Sequence, residues 1–303
     1  MKKSIRRKLI MSSVAVSVAI LGTSAATYAW FVTNNNVSSS VSGNVESAGA
    51  SLYVSKTATS FGTSPISIEF KNEKLAPLQA IKSGTDIDFK HLNRNTVLKD
   101  GEYYSYDIYF SVQNVSSEVP RTLSMELVGN DVDYKDKNYK HTAQANVAES
   151  STYKEIKMGE KYWENILKAL DMNISYVTDS EASKLDSIEE KNSVGNYQLN
   201  SDKSQYDGFT YYKNVNGLKD DFKKDEDVID PTEYISENDL DKTDVLEDEN
   251  AGEAKGTIPL ISNITSAGYY KFTFKIWLNG WDDAAFDAVA SHSFNLNLNF
   301  SLK

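Results

Sequence analysis

Two segments near the C-terminal end alternate between apolar and polar residues so regularly that only extended strands fit them. In GYYKFTFKIWL (268–278), Tyr270, Phe272, Phe274, Ile276 and Leu278 fall on one face, opposed by Tyr269, Lys271, Thr273, Lys275 and Trp277. In HSFNLNLNFSL (292–302), Phe294, Leu296, Leu298, Phe300 and Leu302 alternate with serine and asparagine. A two-residue period over eleven positions buries one face of a strand and wets the other, which is the pattern of an antiparallel sheet. The same period runs through YYSYDIYFSVQNV (103–115), which is followed by a turn and a partner strand over 122–128. Shorter strands are predicted at 51–55, 66–70 and 257–261.

The middle of the chain has a different texture. GEKYWENILKAL (159–170) has apolar residues at helical spacing and predicts a helix, with a shorter one over 181–190. Short strands are predicted at 172–177 and 208–212. Residues 220–253 hold 15 acidic side chains against three lysines and read as a solvated loop. The expected fold is therefore all-β dominated: one antiparallel jelly-roll or β-sandwich over 49–303, with an inserted helical and acidic region at about 130–255.

The first residues carry an export signature. MKKSIRRK is a basic head, Leu9–Leu21 is mostly apolar, and small residues precede Ala29. Residues 1–29 read as a signal peptide cut between Ala29 and Trp30, with cleavage after Ala26 or retention as a membrane anchor as the alternatives. Either way the body of the chain lies outside the cytoplasm, secreted or at the cell surface. Residues 30–48 are small and polar and read as a flexible or weakly extended arm. Within it Val37, Val41 and Val45 recur four apart, which differs from the two-residue alternation of an inserted strand.

Charge and residue supply narrow the chemistry. The net charge is −11 at pH 7, and five basic residues lie in the first eight positions, so a phosphate backbone is an unfavourable partner. There is no cysteine, which removes disulfides, thiolate metal sites and thiol nucleophiles. Three histidines, His91 in a loop, His141, and His292 at the start of the last strand, show no H-E-x-x-H arrangement. No G-x-S-x-G elbow or phosphate-cradling glycine loop is present.

Two features remain as candidate sites. Asp282, Asp283 and Asp287 crowd a turn between two core strands, where carboxylates and carbonyls suit Ca²⁺; no other cofactor is implied. Asp131, Asp133 and Asp136, and Asp239, Asp241 and Asp244, share a D-x-D-x-x-D spacing but lack the glycine and closing glutamate of a calcium loop. Tyr103, Tyr109, Tyr269 and Trp277 lie opposite the core alternation. They are either covered by the inserted helix or open as a platform for sugar or a neighbouring subunit.

The leader and its sequel Ala26-Thr27-Tyr28-Ala29-Trp30-Phe31 resemble the precursors of exported Gram-positive biofilm matrix proteins, the TasA and camelysin family. These carry a G-T-x-A-x-F pattern for a dedicated signal peptidase. Here Gly22 and Thr23 stand further upstream, and Ala26 takes the usual glycine position. Gly49–Val54 resembles the first strand of that family. The resemblance implies a jelly-roll subunit with inserted helices, polymerising by passing an N-terminal strand to the next subunit. The expected function is thus an exported structural protein of the surface or extracellular matrix, forming fibres by donor-strand exchange of its arm. Its partners would be copies of itself or other matrix proteins, with signal peptidase during export and the membrane met only through the leader. The alternatives are a monomeric surface adhesin or glycan-binding module and, more remotely, a secreted peptidase or glycosidase.

Overall fold

The computed structural model describes residues 35–45, 50–62, 66–73, 75–84, 86–92, 97–127, 140–163, 169–199, 206–229, 233–234, 256–283, 285 and 298–303. In chain order the strands are β1 (Asn35–Val45), β2 (Ser51–Ser55), β3 (Ile66–Glu73), β4 (Pro77–Ser83), β5 (Asp86–His91), β6 (Tyr104–Gln113), β7 (Arg121–Leu127) and β8 (Lys140–Thr142). They continue with β9 (Lys161–Trp163), β10 (Leu170–Asp179), β11 (Asn192–Gln198), β12 (Glu233–Tyr234), β13 (Gly256–Ile264), β14 (Gly268–Asn279) and β15 (Leu298–Leu302). A 3-10 helix, Ala182–Ser187, links β10 to β11, and helix α1 (Gly208–Val215) follows β11.

The strands form two main sheets in a sandwich-like arrangement, largely antiparallel. One runs β13-β7-β15-β1-β3; the other runs β12-β11-β10-β14-β4-β5, with β6 also paired to β14 and β2 to β6. The parallel contacts are β1 with β15, β11 with β12, and a short one between β14 and β4.

The alternation in the sequence explains how the sheets face each other. Phe272, Phe274, Ile276 and Leu278 of β14 and Tyr104, Ile108, Phe110 and Val112 of β6 are fully buried, as are Leu298, Phe300 and Leu302 of β15 and Leu123 and Met125 of β7. They share one core. The Phe300 ring crosses between sheets, 4.7 Å from Phe110 and 6.2 Å from Phe274 by centroid. Apolar burial on this scale, rather than propensity, holds such a sheet pair together.

The middle of the chain departs from expectation. Part of the stretch expected as an insertion belongs to the sandwich. β10 lies between β11 and β14, in register with β14 from Leu170↔Leu278 to Asp179↔Tyr269, and Leu170, Met172 and Ile174 join the core. Of the helix predicted over 159–170, residues 161–163 are instead β9, laddered to β8 by Lys140↔Trp163 and Thr142↔Lys161, Ala169 is helical, and residues 164–168 lie outside the described residues. The strand predicted at 208–212 is α1. Its N-cap Asp207 accepts from the Thr210 backbone N–H at 2.9 Å and the Thr210 hydroxyl at 2.6 Å, so the cap overrides the β preference of Phe209, Tyr211 and Tyr212. The short helix predicted over 181–190 is present as the 3-10 helix. Much of 220–253 lies outside the described residues.

Candidate functional site: the seat of the N-terminal strand

The arm expected to be flexible or weakly extended is a strand over Asn35–Val45, flanked on both sides. The remainder of 30–48 lies outside the described residues. No residue of β1 favours strand strongly except its valines, so pairing with its neighbours is what extends it. One side runs parallel to β15, from Val41↔Leu298 to Val45↔Leu302. The other runs antiparallel to β3, from Val37↔Phe70 to Val41↔Ile66, with a bulge between Asn35 and Val37. β15 is held from its far side by β7, through Leu298↔Leu127, Phe300↔Met125 and Leu302↔Leu123. Among the described residues, β3 joins this sheet through β1 alone.

All three valines singled out in the sequence occupy this seat. Their four-residue spacing is compatible with a strand after all, because Ser39 and Gly43 fill the intervening positions of the same face. Ser39 stands opposite Ile68, and Gly43 opposite Phe300. Without β1, β15 and β3 would each present a row of backbone donors and acceptors toward the same gap, a template for an incoming strand.

The other edge of this sheet is built differently. β13 pairs with β7 through two register shifts, between Pro259 and Ile261 and between Ile261 and Ile264. Asn263 adopts a positive φ of 61°. A proline, irregular register and a left-handed residue make a poor template for a further strand.

The outward face of the second sheet is covered. Tyr109 is 6% exposed, packed with Val177 of β10 and Leu185 of the 3-10 helix, with Tyr269 alongside. Trp277 is 1% exposed beneath the β4–β5 hairpin, its ring 5.3 Å from Phe89, which also meets Tyr103 at 4.3 Å. These four aromatics are therefore not an open sugar platform. Two coverings divide them, and the hairpin was not predicted from the sequence.

Between the coverings lies a charged network that sequence reasoning missed, although the alternating Lys271 and Lys275 hinted at it. Lys271 Nζ reaches Asp186 at 2.9 Å and Asp107 at 3.1 Å. Burial works against its charge, but the two carboxylates outweigh it and hold the ammonium protonated well above the usual lysine range. Tyr109 donates to Asp186 at 2.6 Å, and burial together with that acceptor pushes the phenol up to about 12. Lys275 and Lys191 both bind Asp86, at 2.8 and 2.9 Å. Burial would raise this carboxyl, yet the two lysines lower it below the ordinary range.

The acidic turn after β14 points inward. Asp282 and Asp283 are 6% and 4% exposed. Asp282 accepts from Gln198 Nε2 at 3.1 Å, and Asp283 accepts from the Tyr206 backbone N–H at 3.0 Å. They fasten the segment leading into α1 against the end of the sheet. Asp287 lies outside the described residues, as do Asp131, Asp133, Asp136, Asp239, Asp241, Asp244 and His292. Among the described residues no group of three or more histidine or acidic side chains is arranged to hold a metal ion. His91 ends β5 rather than lying in a loop, and its Nε2 is 2.9 Å from Glu102 Oε2. His141 sits in β8 opposite Tyr162. Ala29, Trp30 and the leader lie outside the described residues, among which no helix is long and apolar enough to cross a membrane.

Comparison with protein families, with curated proteins and with solved structures finds no match to this chain.

Proposed function

We propose that the chain is an exported structural protein of the cell surface or extracellular matrix, which assembles into fibres when β1 of one subunit enters the seat of the next. The observation that carries this reading is the position of β1: an N-terminal strand, directly after the export signature, bridging β15 and β3. Exchanging it between subunits replaces each intramolecular ladder by an identical intermolecular one, so the chemical difference between closed monomer and fibre is small. The irregular β13 edge supports growth through the β1 seat over simple edge stacking. This reading takes the sandwich as a jelly-roll subunit of the TasA and camelysin kind, released by cleavage before Trp30.

A second reading, a monomeric surface adhesin or glycan-binding module, is favoured by one fact: the chain completes its own sheet with β1.

Light scattering and negative-stain microscopy distinguish the two, on chains beginning at Trp30 and at Gly49. Filaments or ladders from the longer form only are expected. Two stable monomers overturn the assembly reading and favour the binding module, with glycan screening as its test.

A further inference from the structure

We infer that Gly43 and Phe300 set the register in which β1 is accepted into its seat. The inference rests on the exchange reading above and specifies the alignment of its joint.

A strand displaced by one residue turns its buried face to solvent, so that error is strongly opposed wherever one face is core. Displacement by two or four keeps the faces and must be excluded otherwise. On the valine face β1 reads Val37, Ser39, Val41, Gly43, Val45. Against β15, Val41 meets Leu298, Gly43 meets Phe300 and Val45 meets Leu302. The residue with no side chain thus stands beside the bulkiest residue of β15. Phe300 is fully buried, and with Phe110 and Phe274 packed around its ring it has little room to turn aside. A glycine inside a strand weakens it and commonly marks a close approach; here the neighbour is an immobilised aromatic ring.

A shift of two in either direction places a valine beside Phe300 and the glycine beside a leucine, one crowded position and one hollow one. On the β3 side it moves Ser39 away from Ile68 as well. The competitor is a shift of four, which sets Val37, Ser39 and Val41 against Leu298, Phe300 and Leu302. This differs from the observed register at Phe300 by serine in place of glycine. Gly43 is therefore what separates two otherwise similar patterns, and an unrelated serine-rich strand lacks the match.

Absence of cysteine from the chain allows a clean test. Ser40 and Ser67 are register partners between β1 and β3. Full chains carrying Ser40→Cys are mixed with full chains carrying Ser67→Cys under slow oxidation, and disulfide-linked heterodimer is measured. In the shifted register position 36, not 40, lies opposite 67, so Asn36→Cys reports the error. With Gly43 intact the 40–67 product is expected. Adding Gly43→Val to the donor should lower it by about tenfold and raise the 36–67 product. An unchanged 40–67 yield with Gly43→Val overturns the register key while leaving exchange intact. If no heterodimer forms with Gly43 present, exchange itself fails. The key is then decided within one chain carrying both cysteines, where Gly43→Val must still move the disulfide from 40–67 to 36–67.

Discussion

The rings of Phe110 and Phe300 meet 4.7 Å apart, centroid to centroid, and join β6 of one sheet to β15 of the other within one core. Both side chains are fully buried. Phe300→Ala removes the ring and leaves a cavity that a two-sheet core can only partly close. Destabilisation of about 3–5 kcal/mol is expected in urea unfolding, with a smaller loss for Phe300→Leu.

Acid sensitivity should trace in part to Asp86. Its folded pKa lies below the unfolded value, so its contribution is present above the ordinary carboxylate range and disappears as pH falls through the depressed folded value. Asp86→Asn should cost about 1 kcal/mol at neutral pH, a modest figure for partly exposed pairs. The gap to the unsubstituted chain should begin to close below about pH 4 and vanish only under the depressed folded value. Thermal melts across pH 2–7 provide the check.

At high pH the sign reverses. Tyr109 and Tyr212 are each pushed up to about 12, by burial in both cases and by the Asp186 acceptor at Tyr109. Unfolded tyrosine ionises near about pH 10, so stability falls from there until the folded phenols ionise. Tyr212→Phe should flatten this alkaline loss. Tyr109→Phe should do the same, but at a cost of about 1 kcal/mol at neutral pH through the lost Asp186 bond. Denaturation from pH 8 to 12 separates the two.

Gly208 packs directly on the acidic turn. A Cβ there would meet the Trp281 carbonyl oxygen at 2.5 Å and the Asp282 carbonyl oxygen at 3.0 Å, both backbone atoms. Gly208→Ala should lower stability by about 1–3 kcal/mol and alter tryptophan emission. At Gly280 the nearest atoms to an added methyl belong to the Leu92 side chain, from 2.5 Å, rather than to backbone, so Gly280→Ala should be milder.

The strands that bury a full face were legible in the sequence. β14 and β6 begin and end within a residue or two of the alternation in 268–278 and 103–115, because period two is what the core demands. The β4–β5 hairpin was hidden. Leu78, Ala80, Ile87 and Phe89 pack over Trp277 as a second, smaller core, and their alternation is too short to stand out. α1 was misread for a related reason: its aromatic residues suggest strand, while the Asp207-to-Thr210 cap that decides the matter is only four residues long. For the seat, the sequence offered three valines. Their relation to Phe300 required knowing that β1 lies parallel to β15.

That arrangement has a mechanical consequence. Ladder hydrogen bonds lie across the strand, so tension applied along β1 loads its bonds to β15 and β3 in shear, together. Peeling them one at a time would require a pull perpendicular to the strand. Any joint made through this strand would therefore be strongest along the strand axis and weakest to a sideways pull.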